Sequence, residues 1–377
     1  MKFIHLSDLH LGKRVNEFPM IEDQAYILEQ ILAVIDQQTP DAVIIAGDVY
    51  DRTIPSAEAV TLLDDFLVKL AQRHVPVLLV SGNHDSPERV AFAGRLMEHR
   101  QVYISPVYRG ETKTITLTDE YGPVDFFLLP FLKPVHVRAC FPDEEINDTN
   151  DAVACAVRHM QIDSAHRNVL VAHQFVTGAE RCESEELSIG GSDNVDISVF
   201  APFDYAALGH LHGPQTIRNA RYCGSPLKYS FSEAHHKKSV TVVCLGPKGT
   251  LSIDTVPLVP RRDMVELRGT YREVASLDFY RELDTDAYIR MTLTDEQDVP
   301  NAMDRLRSIY PNMMRLDYDN LRTRGGGQAA LDAAAAGQQT PLQVFAALYM
   351  RQNNAPMSPE QEHYLSDLIE RIWEEDL

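Results

Sequence analysis

Two rhythms of apolar and polar positions alternate along the first hundred residues. Short continuous apolar runs at Lys2–Leu6, Ala42–Ala46 and Val75–Val80 predict buried strands. Between them, apolar residues recur every three or four positions. Ile27, Leu28, Ile31, Leu32 and Ile35 share one face of a helix predicted over Ile21–Gln37. Val60, Leu63, Phe66, Leu67 and Leu70 do the same over Ser56–Gln72. A β-α-β-α-β order predicts an α/β core with parallel pairing. Further strands are expected at Phe126–Leu129, Val169–Ala172, Tyr205–Leu208 and Val240–Leu245, with a helix at Asp151–Met160. Two mixed sheets packed together fit this many strands.

The pattern changes after Val256-Pro257-Leu258-Val259-Pro260, whose prolines suggest a boundary. A small α/β unit follows, with strands at Asp286–Leu293 and Met313–Asp317 around a helix at Asn301–Ile309. Gly325-Gly326-Gly327 and Ala333–Ala336 read as a linker. Two helices close the chain. The second opens on Ser358-Pro359-Glu360-Gln361, where Ser at the N-cap, Pro at N1 and Gln at N3 form a start signal.

Composition narrows the function classes. The chain has 377 residues, enough for two domains, and its 44% hydrophobic and 24% charged content is that of a globular protein. No apolar run of about 18 residues predicts a membrane span, and the amino-terminal segment turns polar too early for a signal peptide, so the cytoplasm is the expected compartment. Five dispersed cysteines with no C-x-x-C argue against disulfides and a thiolate zinc site. A net charge of -20 disfavours nucleic-acid binding through a broad basic surface, but not an enzyme that meets phosphates through metal ions.

Five strand ends carry unusual chemistry: Asp8-Leu9-His10, Gly47-Asp48-Val49-Tyr50-Asp51, Gly82-Asn83-His84-Asp85, Ala172-His173-Gln174 and Gly209-His210-Leu211-His212. Ligands of α/β folds bind beyond the carboxyl ends of strands, so five such ends can converge on one spot. Asp-x-His and His-x-His are expected to aim both side chains to one side of an extended segment. Asp-x-His alone is ordinary loop decoration, whereas Gly-Asn-His-Asp alone is as much chemistry as decoration. Together the five motifs supply more oxygen and nitrogen ligands than one catalytic ion needs, and about the number for two ions sharing a carboxylate. Two divalent ions against Asp8 and Asp48 leave a net positive site, which attracts a phosphate and acidifies the water that attacks it. Asn83 would add a neutral oxygen. His84, one residue along, would protonate the leaving oxygen as general acid, with Asp85 orienting its ring.

These motifs, with "HLSDLHLGKR", "IIAGDVYDR", "VSGNHDSPERV", "FDYAALGHLHGPQ" and "RYCGSPLKYSFSEAHHKKSV", resemble the calcineurin-like metallophosphoesterase superfamily, and within it the bacterial double-strand-break repair nucleases. The resemblance implies a four-layer α/β/β/α sandwich with a small α/β cap domain and C-terminal helices. Its implied division is a nuclease domain over 1–258, a cap over 261–323, a linker over 324–340 and a partner-binding helical segment over 341–377. It implies two Mn²⁺ ions, one held by Asp8, His10, Asp48 and His212, the other by Asp48, Asn83, His173 and His210, with His84 as proton donor. The implied activities are double-strand exonuclease and single-strand endonuclease on DNA, with an SMC-like ATPase partner. Related archaeal chains often carry His where this one has Asp51, so Asp51 is expected to support the site or cap a helix. By the same resemblance, helices at Ser56–Gln72 and Pro87–His99 would pair across a homodimer, and Leu365, Leu368, Ile369, Ile372 and Trp373 would grip the partner. The competing reading keeps the chemistry but changes the substrate to a small molecule or phosphoprotein. A non-catalytic scaffold would show missing ligands, and none is missing.

Other polar residues carry less. His5 is expected as a packed core histidine. Lys13-Arg14 is equally a phosphate contact or a solvated pair, and His235-His236-Lys237-Lys238 is expected as a charged turn. Arg261-Arg262 marks the domain boundary as a hinge or a DNA contact.

Overall fold

The computed structural model describes residues 1–180, 194–321, 323, 341–353 and 356–375. The expected linker and Cys182 lie outside the described residues. The chain forms two compact units, Met1–Asp263 and Met264–Leu377.

The first unit begins β1 (Lys2–Leu6), α1 (Ile21–Gln38), β2 (Ala42–Ala46), α2 (Ala57–Gln72), β3 (Val77–Val80) and β4 (Val102–Ile104). It continues β5 (Lys113–Asp119), β6 (Gly122–Leu129), α3 (Thr149–Arg158), β7 (Arg167–His173) and β8 (Tyr205–Gly209). It closes with β9 (Gln215–Ile217), β10 (Ala220–Tyr222), β11 (Ser239–Leu245) and β12 (Leu251–Pro257). Two six-stranded sheets result, in the orders β12-β11-β1-β2-β3-β4 and β9-β10-β8-β7-β6-β5. The parallel run β1-β2-β3 is the one that the alternating pattern predicts, and β4, which the pattern did not predict, extends it.

Strand alternation decides the layers. Phe3, Ile44, Leu78 and Val80 of one sheet meet Phe126, Leu128, Val169, Val171 and Tyr205 of the other in a dry inter-sheet core. Phe127, Leu129, Leu170 and Leu208 face the opposite way and pack with Val153 and Ala156 of α3. On the first sheet's other side, α1 buries Ile27, Ile31 and Ile35, and α2 buries Leu63, Phe66 and Leu70. This is the expected α/β/β/α order. Ser56 caps α2, accepting from the Ala59 amide at 3.3 Å. The helix expected over Pro87–His99 is broken. Ala93 adopts φ 58°, splitting it into Pro87–Val90 and Gly94–Met97.

His5 is fully buried, with Nδ1 2.9 Å from the Tyr205 hydroxyl. Arg167, 2% exposed, ties the sheet edges together. It donates to Asp119 Oδ2 at 3.0 Å, the Gly122 carbonyl at 2.7 Å and the Gly246 carbonyl at 3.1 Å. The Arg167 guanidinium, helped by the amino-terminal ammonium, holds the Asp119 carboxyl far below the usual carboxylate range. A depressed carboxylate stabilises the fold fully above its unfolded value of about 4 and loses that contribution as pH falls. Asp119→Asn leaves the Arg167 charge buried and should cost about 3 kcal/mol. Urea unfolding at neutral pH should show that loss. The gap to the parent should close on acidification, and a constant gap would contradict the assignment.

The second unit holds three parallel strands, β13 (Met264–Gly269), β14 (Tyr288–Leu293) and, after α4 (Ala302–Arg307), β15 (Met313–Tyr318). Ile289, Met291, Leu306 and Tyr310 fill its core. The helices α5 (Pro341–Asn353) and α6 (Pro359–Glu375) pack on each other. Ser358 caps α6 reciprocally. Its hydroxyl accepts from the Gln361 amide at 3.3 Å, and its own amide donates to Gln361 Oε1 at 2.9 Å. Leu365, Leu368 and Ile369 are half-buried, whereas the side chains of Ile372 and Trp373 lie outside the described residues. Among the described residues, no helix is long and apolar enough to cross a membrane.

Candidate metal centre

All five strand ends meet at one edge of the sandwich. The loops after β1 and β2 run side by side: the Asp8 amide donates to the Gly47 carbonyl at 3.0 Å and the His10 amide to the Asp48 carbonyl at 2.9 Å. The side chains do not converge by strand alternation, as expected for Asp-x-His and His-x-His. Asp8, His10, Asp48 and His210 instead have φ of 54°, 44°, 48° and 104°. Left-handed backbone at non-glycine residues costs on the order of 1 kcal/mol or more each and persists where the surroundings over-determine it. Two motif glycines permit the crowding. A Cβ on Gly82 would lie 2.1 Å from Asp48 Oδ1, and one on Gly209 would lie 1.9 Å from the Ala46 carbonyl oxygen.

Asp48 lies at the middle. Its Oδ2 is 3.3 Å from His173 Nε2 on one side and 3.6 Å from His10 Nε2 on the other. Beyond His10, its Nε2 is 3.1 Å from His212 Nε2. Beyond His173, Asn83 Oδ1 is 3.0 Å from both His173 Nε2 and His210 Nδ1. Asp8, accepting from the Ser7 hydroxyl and from the His210 amide at 3.0 Å, places a carboxylate oxygen near both groups.

The far ring nitrogens settle which atoms face inward. His173 Nδ1 donates to the Ala46 carbonyl at 2.9 Å and His212 Nδ1 to Glu233 Oε1 at 3.1 Å. Each therefore turns Nε2 to the centre, and the Nε2 atoms of His10 and His212 oppose each other. Donors bound to one ion at about 2.1 Å lie roughly 3–3.5 Å apart, so these spacings fit a cation between them. Burial holds His10 well below its ordinary value, so its ring is neutral and could serve as a ligand. Burial opposes charge on Asp48 too, but His173 and His10 keep its carboxyl well below the usual range. The same burial works against His173, which the Asp48 carboxylate nonetheless raises to about 9. A metal entering there must displace that proton.

Residues 1–214 match the calcineurin-like phosphoesterase family, and residues 260–353 match the type 5 capsule protein repressor C-terminal domain. The SbcD component of the SbcCD nuclease of Staphylococcus epidermidis is 35% identical over 322 residues, covering 84% of this chain and 85% of that one. The chain belongs to the SbcD nuclease family of calcineurin-like phosphoesterases. Among solved structures, a dimetal phosphatase from Danio rerio covers 68% of this chain and 96% of its own at 11% identity and a TM-score of 0.40. A Thermus thermophilus protein, TT1561, covers 67% and 98% at 13% identity and a TM-score of 0.39.

In this SbcD-family chain, His84 lies at the rim of the cluster and is more exposed than His10 and His173. Its side chain is 18% exposed, with Nε2 3.9 Å from Asp48 Oδ2 and Nδ1 3.0 Å from the Asp51 carbonyl. The expected Asp85–His84 contact does not form. Asp85 instead accepts from the amides of Val49 at 3.0 Å, Tyr50 at 2.9 Å and Gly82 at 2.9 Å, so it binds the second strand-end loop to the third. Three inward amides outcompete a neighbouring ring that points elsewhere. Asp51 does not cap α2. Its carboxylate pairs with Lys13 Nζ at 2.7 Å and lies 3.7 Å from His10 Nδ1, and its carbonyl, not its side chain, holds His84.

The motifs missed a layer behind the ligands. Glu233, fully buried, joins His212 Nδ1 to Lys238 Nζ at 2.5 Å. Lys238 also donates to the His212 carbonyl at 2.9 Å, so the expected charged turn folds its lysine inward. Gln24 Nε2 donates to the His10 carbonyl at 2.7 Å, and the Tyr229 hydroxyl donates to the Leu9 carbonyl at 2.5 Å. A lone carboxylate just before the basic cluster of "YSFSEAHHKK" was the available signal. Such outer partners fix the tautomer and basicity of a ligating His. Glu233→Gln should weaken divalent-metal binding by roughly 10–100-fold. Calorimetric titration checks this, and parent-like affinity in a folded variant would contradict it.

Proposed function

We propose that the chain is the nuclease subunit of an SbcC–SbcD-type DNA repair complex. The single observation behind this reading is Asp48 Oδ2 standing between the His10 and His173 donor sets, at 3.6 Å and 3.3 Å. One ion would be held by Asp8, His10, Asp48 and His212, and a second by Asp48, Asn83, His173 and His210. Mn²⁺ suits this mix of carboxylate, amide and imidazole. When bound, such ions draw charge from a phosphate and lower the pKa of a water to near neutrality. His84 then gives a proton to the leaving oxygen from Nε2, its ring held through Nδ1 by the Asp51 carbonyl. Lys13, anchored on Asp51, adds positive charge beside His10. The activities are double-strand exonuclease and single-strand endonuclease.

The partner reading rests on α6, whose Leu365, Leu368, Ile369, Ile372 and Trp373 recur at helical spacing and would dock an SMC-like ATPase of the SbcC kind. Val60 and Val68 on α2, each 45% exposed, with Phe92 and Leu96, 79% and 73% exposed, support pairing of two copies through that face. Both assemblies belong in the cytoplasm, on DNA. At a net charge of -20 the chain meets DNA through its ions, local basic groups and its partner, so DNA binding should weaken steeply with salt.

Competition tests the substrate. Linear duplex DNA should suppress hydrolysis of a phosphodiester dye by the Mn²⁺-loaded protein, whereas a phosphopeptide and free nucleotides at equal phosphate should not. The reverse order would assign a small-molecule or phosphoprotein substrate.

A further inference from the structure

A second cluster of metal-ligating side chains lies away from the phosphoesterase centre, at the end of α3. Cys155 and His159 are four residues apart and so share a helix face. Cys155 is fully buried; His159, just past the helix, has a side chain 39% exposed. Glu144 reaches them from the segment before α3. One donor atom from each of the three lies within 4.8 Å of the other two.

We infer that Glu144, Cys155 and His159 bind one zinc-class divalent ion that ties the end of α3 to the preceding loop. Thiolate, imidazole and carboxylate are the three zinc ligand types, and the thiolate distinguishes this set from the all-nitrogen-and-oxygen nuclease centre. The outer contacts are those of a built site. His159 Nδ1 donates to the Cys155 carbonyl at 2.9 Å, which leaves Nε2 facing Glu144 Oε1 at 3.4 Å. A ring lone pair and a carboxylate oxygen repel at that distance unless a cation or proton lies between them. Arg158 occupies the other Glu144 oxygen, as outer partners of ligating carboxylates do. Phe141 stacks on the His159 ring at 4.1 Å and 27°, fixing its plane.

One further group fits. The Tyr108 hydroxyl is buried in the same core cluster without a hydrogen-bond partner. An unanswered hydroxyl costs about 1–3 kcal/mol, and a water in the ion's fourth position would satisfy it.

Cobalt reports the thiolate directly. The full chain, stripped of metal and reloaded with Co²⁺, should show a sulfur-to-cobalt charge-transfer band that added Zn²⁺ abolishes. Cys155→Ser should lose the band. Glu144→Gln and His159→Gln, both nearer the surface and safer for folding, should weaken Co²⁺ binding at this band at least tenfold. Asp48→Asn, which alters the nuclease centre, should keep it. Cys223, whose Sγ is 3.0 Å from Ser7 Oγ beside Asp8, is the control thiol, and Cys223→Ser should also keep it. No band in the parent, or a band that survives Cys155→Ser, overturns the site.

Discussion

Asp48→Asn should abolish metal-dependent cleavage, lowering turnover by roughly three orders of magnitude or more, because Lewis-acid stabilisation by bound ions is worth several kcal/mol. Asp48 Oδ2 stands between the His10 and His173 donor sets, so one substitution removes the bridge of the proposed pair. Asn keeps the shape and can still accept the His84 amide, which Asp48 Oδ1 meets at 3.0 Å. Loss of function would therefore report lost charge and coordination, provided circular dichroism shows a folded chain. Removing the carboxylate also removes what raises His173 against its burial, so that ring should be neutral in the variant. Mn²⁺ titration should show weakened binding at both positions. Two ions bound at parental affinity would contradict the shared-carboxylate geometry.

His84→Ala should lower turnover by about 10²–10⁴-fold, the usual contribution of a positioned general acid, while Mn²⁺ binding stays at the parental level. The geometry separates these outcomes. His84 is held through Nδ1 by a backbone carbonyl, and its Nε2 stands 3.9 Å from Asp48 Oδ2. It is more exposed than His10 or His173. That is the place of a group that meets substrate, not one enclosed by ligands. One donor atom each from His10, Asp48 and His84 does lie close enough to share an ion. Loss of metal in His84→Ala would accordingly make it a ligand and leave the proton donor to be found elsewhere. Parental cleavage would remove it from the chemistry altogether.

Much of this was legible because it is local. Val77–Val80 and Ala42–Ala46 are apolar on both faces, as strands between a helix layer and a second sheet must be, and the strand-end motifs lie beside them in the chain. The backbone of those motifs was not legible. Asp8 and His10 look like alternating strand positions, yet left-handed φ values turn both inward, a consequence of loops packing against each other. Adjacency also misled at Asp85, whose partners are amides 36, 35 and 3 residues away. Glu233 is remote from every ligand in sequence, and only the turn that buries Lys238 brings it to His212. Motifs register the ligands; contacts between distant segments decide who orients them.

A metal-dependent centre at these strand ends should cut DNA. The most direct test is incubation of the purified chain with end-labelled linear duplex and single-stranded DNA, with Mn²⁺, with Mg²⁺ and with chelator, beside Asp48→Asn. Degradation should require a divalent ion, be strongest with Mn²⁺ and disappear in the variant. Degradation that persists in chelator or in Asp48→Asn would contradict a metal-dependent centre.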